Sequence, residues 1–431
     1  MKSIRYIVRL TSAFLGRFAW IIVASILLGV GIFFLLSLNL IPFQGKTQRI
    51  GLVGRHSPDK LPVEILSLIS QGLTKIDDKG DVTPDLASSW ETPDKGKTWI
   101  FHLKDNLVWQ DDKKVVSSDV NYQFSDLETE KPDEKTIVFK LKDPYSALPS
   151  VVSRPVFKKG LLGTGEWKVD KINLSGNFVT SLTLEAKDKG KIIYKFYPTE
   201  ERAKLAFKLG EINELQGILD PEPFNSWKKA EVIEQTDKGK FIAVFFNTQN
   251  PQVSDKTVRQ ALAYAINRDE LGGTKAVSPI SENSWAFNPQ VKPYNYDPAK
   301  AKDELEDVND ITLTTSPLLL PVAEKIARKW EEAGVKTTVQ ALPTIPDDYQ
   351  ALLAIFDMPE DPDQYSIWHT TQTATNITRY SNPRIDKLLE DGRTEVNLEE
   401  RRKIYLDFQR FLVEDSPAIF LYYPTTYTIK R

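Results

Sequence analysis

No cysteine occurs among the 431 residues. That absence excludes disulfides, thiolate catalysis, Cys-ligated metal sites and the acylatable Cys that anchors bacterial lipoproteins. Histidine is almost as scarce. His56, His102 and His369 lie far apart and lack His-x-x-x-His ligand spacing. Neither a Gly-x-Ser-x-Gly elbow nor a Gly-x-x-x-x-Gly-Lys-Ser/Thr phosphate loop is present. Composition leaves open only a carboxylate pair of the glycosidase kind. The chain is not read as an enzyme, and no catalytic residue, metal ligand or cofactor is assigned.

Acidic residues are missing from the first 58 positions, where seven basic ones stand: Lys2, Arg5, Arg9, Arg17, Lys46, Arg49 and Arg55. The remainder holds the other 49 basic side chains against all 59 acidic ones, a balance of −10. A mildly acidic body argues against nucleic acid as partner, because phosphate binding needs a basic surface. Charge is absent altogether from Phe18 to Leu38 (FAWIIVASILLGVGIFFLLSL). Twenty-one helical residues span about 31 Å, the thickness of a bilayer's hydrocarbon core. Four basic residues precede this run, so the positive-inside bias places residues 1–17 in the cytoplasm. The run exceeds a signal peptide's apolar region, and no small-x-small cleavage pattern follows within Asn39–Gln44. Residues 18–40 are therefore expected to be an uncleaved, single-pass anchor holding the body on the extracytoplasmic face of the cell membrane.

A body of this length divides into more than one domain. Its first part is β-rich. Gln48–Val53 reads as a strand, and Thr98–Leu103 (TWIFHL) and Lys135–Leu141 (KTIVFKL) alternate with period two. Thr199 can cap a helix over Glu200–Leu209, with Gly210 as its stop. Asp255–Leu271 places Val258, Ala261, Leu262, Ala265 and Ile266 on one helical face. Ile311–Thr315, a helix opened by Ser316-Pro317 and ended at Gly334, and Val335–Ala341 form a βαβ crossover, which demands a parallel sheet. Asn382-Pro383 opens one further helix. Asn397, with Glu400 three residues on, opens the last.

Four stretches, in this order, resemble the large solute-binding proteins of ABC importers, the group containing oligopeptide- and dipeptide-binding proteins. The first runs from Gln71-Gly72-Leu73 through Thr83-Pro84-Asp85-Leu86 and Trp90 to Trp99-Ile100-Phe101, Trp109 and Ser118-Asp119-Val120. The second is Gly163-Thr164-Gly165 with Trp167, where Glu166 stands in place of the family's proline. The third is Phe246-Asn247-Thr248 with Asp255 to Arg268, and the fourth runs from Tyr380-Ser381-Asn382-Pro383 to Ser416-Pro417-Ala418-Ile419. The body is short for the class: Gln123–Thr136 stands where a long segment is usual, and the chain stops at Arg431 where relatives add strands.

The resemblance implies an α/β, two-lobed, periplasmic-binding-protein-like fold (type II, large peptide-binding class) with a hinged cleft, preceded here by one transmembrane helix. Lobe one is expected at 47–246, including a small extra subdomain, lobe two at 247–415, and a return to lobe one at 416–431. The implied function is capture of peptides for an ABC-type importer. A ligand-sensing receptor without transport, or a binder of a sugar or metal chelate, stands as the alternative. The implied partners are a peptide, the permease subunits and the membrane, and a monomer is expected.

In peptide-binding members an Asp in a stretch like Ala-Asp-Tyr-Pro-Asp-Pro pairs with the ligand's α-ammonium. Phe356-Asp357-Met358-Pro359-Glu360-Asp361-Pro362 is the matching stretch here, so Asp357 is the expected ligand contact and Asp361 the second candidate. Trp109, Trp285 and Trp368 are candidates for the cleft wall. Asn247 is expected at the hinge, in hydrogen-bond reach of ligand or hinge. Arg259, on the helix that carries the third motif, is read as structural.

Overall fold

The structure, a computed structural model, describes residues 16–21, 23–25, 27–30 and 47–431. The described part of the N-terminal apolar run is helical, with Trp20, Ile21, Leu27 and Leu28 exposed. No helix among the described residues is long and apolar enough to cross a membrane. About half of the expected anchor, 18–40, lies outside them.

From Thr47 onward the chain builds two lobes around separate sheets. The first lobe holds a seven-stranded sheet, ordered Glu231–Thr236, Thr425–Lys430, Glu214–Ile218, Thr47–Val53, Gly190–Tyr197, Phe178–Ala186 and Lys168–Ser175. Attached to it is a four-stranded antiparallel sheet of Ala87–Glu91, Thr98–Leu103, Thr136–Leu141 and Leu127–Glu130. Period-two alternation drives this small sheet. Trp99, Phe101 and Leu103 turn inward from one strand, Ile137 and Phe139 from its neighbour, and they share a core with Trp109 and Val120.

The second lobe is a six-stranded sheet, ordered Thr274–Lys275, Ala418–Tyr423, Lys240–Phe246, Ala351–Asp357, Ile311–Thr315 and Thr337–Ala341. Ile311–Thr315 pairs in parallel with both Thr337–Ala341 and Ala351–Asp357. Between the first two runs the helix Leu320–Glu332, ended at Gly334 with φ +100°, crosses over as its sequence signals require. Its buried Ala323, Ile326, Ala327 and Trp330 explain the amphipathic spacing. Capping follows the same local logic. Thr199 accepts from Arg202 N at 3.4 Å, Asp255 from Thr257 N at 2.8 Å, and Asn397 from the N–H groups of Glu399 and Glu400 at 3.0 and 3.1 Å.

The chain passes between lobes at Thr236–Lys240 and again at Tyr423–Thr425. Asp237 N donates to Pro424 O at 2.9 Å, so the two passages lie side by side. Both lie away from the expected boundaries at 246/247 and 415/416. Lys240–Phe246 (KFIAVFF) and Ala418–Tyr423 (AIFLYY) are apolar and almost wholly buried, and both belong to the second sheet. A continuous apolar run shows that a strand is buried but not in which of two sheets.

Arg259 is nearly buried and donates to the carbonyls of Val253, Ser254, Asp415 and Ser416 at 2.6–3.0 Å. It satisfies carbonyls at the end of the last helix, Leu398–Asp415, and so ties that helix to its own.

Candidate functional site

Between the lobes lies a cleft of about 890 Å³. The first lobe contributes Glu64 and Ser67 from the helix Val63–Ile69, then Gln71, Lys75, Asp85 and Arg154. The second contributes the loop Pro359–Asp363, Ser366 and Arg393. Two of the motif glycines shape the first wall. Gly163 and Gly165 lie so close to the backbone of Leu68 and Ile69 that a Cβ on either would collide with it. Thr164 between them accepts from Gln71 N at 3.2 Å, which sets the cleft-lining turn Ser70–Gly72. A second cavity of about 380 Å³ adjoins the first through shared Ile76, Pro359 and Glu360, and carries Asp77, Asp78 and Asp237 on its rim.

The far wall is built on buried charge pairs. Arg401 donates from both Nη atoms to both oxygens of Asp361, and Arg393 Nε donates to Asp363 Oδ2 at 3.0 Å. The Arg393 guanidinium lies 4.3 Å from the Tyr365 ring and 5.1 Å from the ring of Tyr145, on the opposite lobe. Burial, with Asp363 adding to it, pushes the Tyr145 hydroxyl up to about 12. Ser150 Oγ donates to Asp361 Oδ2 at 3.0 Å and Ser146 N to Arg393 O at 2.8 Å, so the lobes touch directly beside the cleft.

Of the expected site residues, Asp361 lines the cleft. Asp357 ends its strand, exposed, with Lys240 Nζ at 2.5 Å from Oδ1; the neighbours in its loop, Pro359 and Glu360, reach the cleft wall. Asn247 is buried, its amide donating to Asp348 Oδ1 at 3.2 Å and its backbone N–H to Gln350 O, within the second lobe rather than at either passage between lobes. Trp109 is buried in the small sheet's core and donates to Asp119 Oδ2 at 3.1 Å. Trp368 is buried against Phe245 and Phe420, its indole N–H on Gln364 Oε1 at 2.8 Å. Trp285 packs behind the cleft wall, with the Arg401 guanidinium 5.5 Å from its ring. Asp357, Asn247 and the three tryptophans are thus dispersed, and the structure does not gather them at one surface.

Sequence reasoning passed over Glu360, Asp85, Glu64, Arg154, Tyr145 and Arg393. Glu360 and Asp85 stand inside stretches already singled out, so a carboxylate beside a motif was the available signal. The other four carry none. Glu360 faces Arg154 and Glu64 of the other lobe; partial burial raises its carboxyl above the ordinary range, Arg154 opposes the rise and Glu64 adds to it. Burial raises Asp85 as well, against the opposing hydrogen bond from Gln71. Among the described residues no group of three or more His, Asp or Glu is arranged to hold a metal ion.

The fold and cleft define a two-lobed α/β protein of the periplasmic-binding-protein type. Residues 81–128 and 121–376 match the bacterial extracellular solute-binding proteins, family 5 (middle region), and the chain belongs to that family. It is 24% identical to the oligopeptide-binding protein AppA of Bacillus subtilis over 484 aligned positions, covering 90% of this chain and 88% of that protein. NikZ of Campylobacter jejuni, solved with Ni(L-His), shares the fold with a TM-score of 0.73 at 24% identity, over 89% of this chain and 94% of that one. AppA of Bacillus subtilis, solved with a nonapeptide, gives 0.69 at 20% identity over 90% and 94%.

Proposed function

We propose that the chain captures peptides in its interlobe cleft and delivers them to the permease of an ABC-type importer, tethered beside it by the N-terminal apolar run. The observation that carries this reading is the cleft itself, walled from both lobes in a member of a solute-binding family. Its volume falls within the roughly 300–1,000 Å³ that ligand clefts occupy. Ser67, Gln71 and Ser366 offer hydroxyl and amide groups to a peptide's main chain. Main-chain hydrogen bonding reads no side chain, and bridging water adapts the rest. The relatives named for oligopeptides, and the AppA complex with its nonapeptide, support the same ligand class. Asp361 is the expected residue that lines this cleft. Tethering rests on the charge-free run Phe18–Leu38 and the basic residues before it.

Native mass spectrometry of ligands co-purified with the full chain tests the reading. Short peptides are the expected adducts; a sugar or a metal chelate as the retained species overturns it. Fractionation tests the tether. The intact chain should sediment with membranes and resist extraction by salt or alkali, and a soluble mature form beginning near Phe43 would refute it.

A further inference from the structure

The two adjoining cavities hold more negative charge than the protein answers. Asp361 is paired by Arg401, Asp363 by Arg393, and Lys238 on the rim is taken by Glu282. That leaves six carboxylates on the walls: Glu64, Asp85 and Glu360 in the larger cavity, Asp77, Asp78 and Asp237 in the smaller. None of the six forms an ion pair among the described residues. Asp77 and Asp237 accept only backbone N–H groups of their own turns, at 2.9–3.0 Å, and Asp85 accepts from the neutral Gln71 amide. Two cations stand against them, Lys75 and Arg154. Lys240, which also interacts with Asp237 and Glu64, is committed to Asp357.

We propose that the cleft selects peptides carrying a basic side chain, a lysine ammonium or arginine guanidinium, held between Glu64 of one lobe and Glu360 of the other. The inference rests on the peptide-capture reading above and names the class of peptide. Glu64 and Glu360 line the larger cavity from opposite lobes, with Arg154 of the first lobe beside Glu360 as well. Closing the lobes on a neutral ligand removes water from both carboxylates with only Arg154 to answer them, which opposes closure. A cation between them turns the same approach into attraction. One α-ammonium offsets a single charge, whereas the surplus of carboxylates over cations is four, spread along both cavities. The Glu360 junction places both cavities within reach of one long, flexible side chain.

The test uses the full chain in detergent and equimolar pentapeptide pools that differ at one position, occupied by lysine, arginine or norleucine. Retained peptides are quantified by mass spectrometry. Lysine and arginine pools should be retained about tenfold over norleucine, or about 1.4 kcal/mol. Glu64→Gln and Glu360→Gln should each bring that ratio close to one, while Glu306→Gln, an exposed control, leaves it unchanged. In the unaltered protein the ratio should also shrink as NaCl rises, a readout that does not depend on the variants folding. Retention of no pool overturns the peptide reading and this inference with it. Peptides retained with lysine and norleucine alike overturn the inference alone, as does a basic preference that survives both Glu substitutions.

Discussion

Arg401 closes its guanidinium fork on both oxygens of Asp361, at 3.0 and 2.5 Å, with both side chains about nine-tenths removed from water. The Arg401 Nε donates on to Gly392 O at 2.9 Å, and Ser150 from the other lobe caps the carboxylate. The pair thus joins three pieces of chain: the loop after Asp357, the end of the helix Pro383–Thr394, and the last helix. Removing one partner of a buried pair strands the other's charge and costs about 3–5 kcal/mol. Arg401→Leu and Asp361→Asn should each lower the thermal midpoint clearly. The double replacement should cost less than the sum of the two. Unchanged midpoints in both single variants would show that the pair carries no stability.

The neighbouring carboxylates predict opposite outcomes for two similar substitutions. Asp357 is largely exposed and Lys240 about half so, and ion pairs of that kind contribute about 0–1 kcal/mol. Asp357→Asn should leave peptide affinity within about threefold and stability unchanged. Glu360→Gln, in the cleft wall, should weaken binding by about tenfold, or 1.4 kcal/mol. Isothermal titration with one peptide against both variants decides between them. A larger loss at Asp357 would return the ligand contact to the strand end.

Glu360 also sets a pH dependence whose sign runs against the usual carboxylate. Partial burial holds its folded pKa above the unfolded value, against Arg154, so the folded state keeps a proton that the unfolded state has lost. Its contribution to stability is therefore highest at low pH and is lost as pH rises from about 4, the unfolded value, through the raised folded one. Glu360→Gln removes that loss. Relative to the unaltered protein, the variant should gain thermal stability between pH 4 and pH 7. A gain in the opposite direction would mean that Glu360 has a stabilising partner.

Two passages between the lobes, hydrogen-bonded side by side at Asp237 and Pro424, form the geometry of a hinge. Ligand that bridges both lobes should shift the population toward the closed form and raise the melting temperature by mass action. Small-angle scattering with a co-purified peptide should show a smaller radius of gyration than the emptied protein. Equal dimensions on binding would remove the hinge from the mechanism.

Much of the local architecture was legible before any coordinates. The Thr199 and Asn397 caps, the Gly210 and Gly334 stops, the alternating strand Thr98–Leu103 and the crossover Ile311–Ala341 depend on residues a few positions apart. Those spacings are written along the chain. The family motifs likewise marked Gly163 and Gly165, where only a residue without Cβ permits the close backbone approach, and the loop of Asp357 to Asp361.

What tertiary structure alone decided is which group meets which across long separations. Lys240 reaches Asp357 from 117 residues away, and Ser150 reaches Asp361 from 211. A few residues of one loop therefore hold an exposed pair at Asp357, an unpaired carboxylate at Glu360 and a buried pair at Asp361. The three tryptophans could equally have lined a cleft, since an indole's size and N–H suit core and wall alike. The strands Lys240–Phe246 and Ala418–Tyr423 could have joined either sheet by composition. Burial and charge compensation are properties of the assembled surfaces, so the chain's order of residues determines the elements while their packing determines which carboxylates remain free for a ligand.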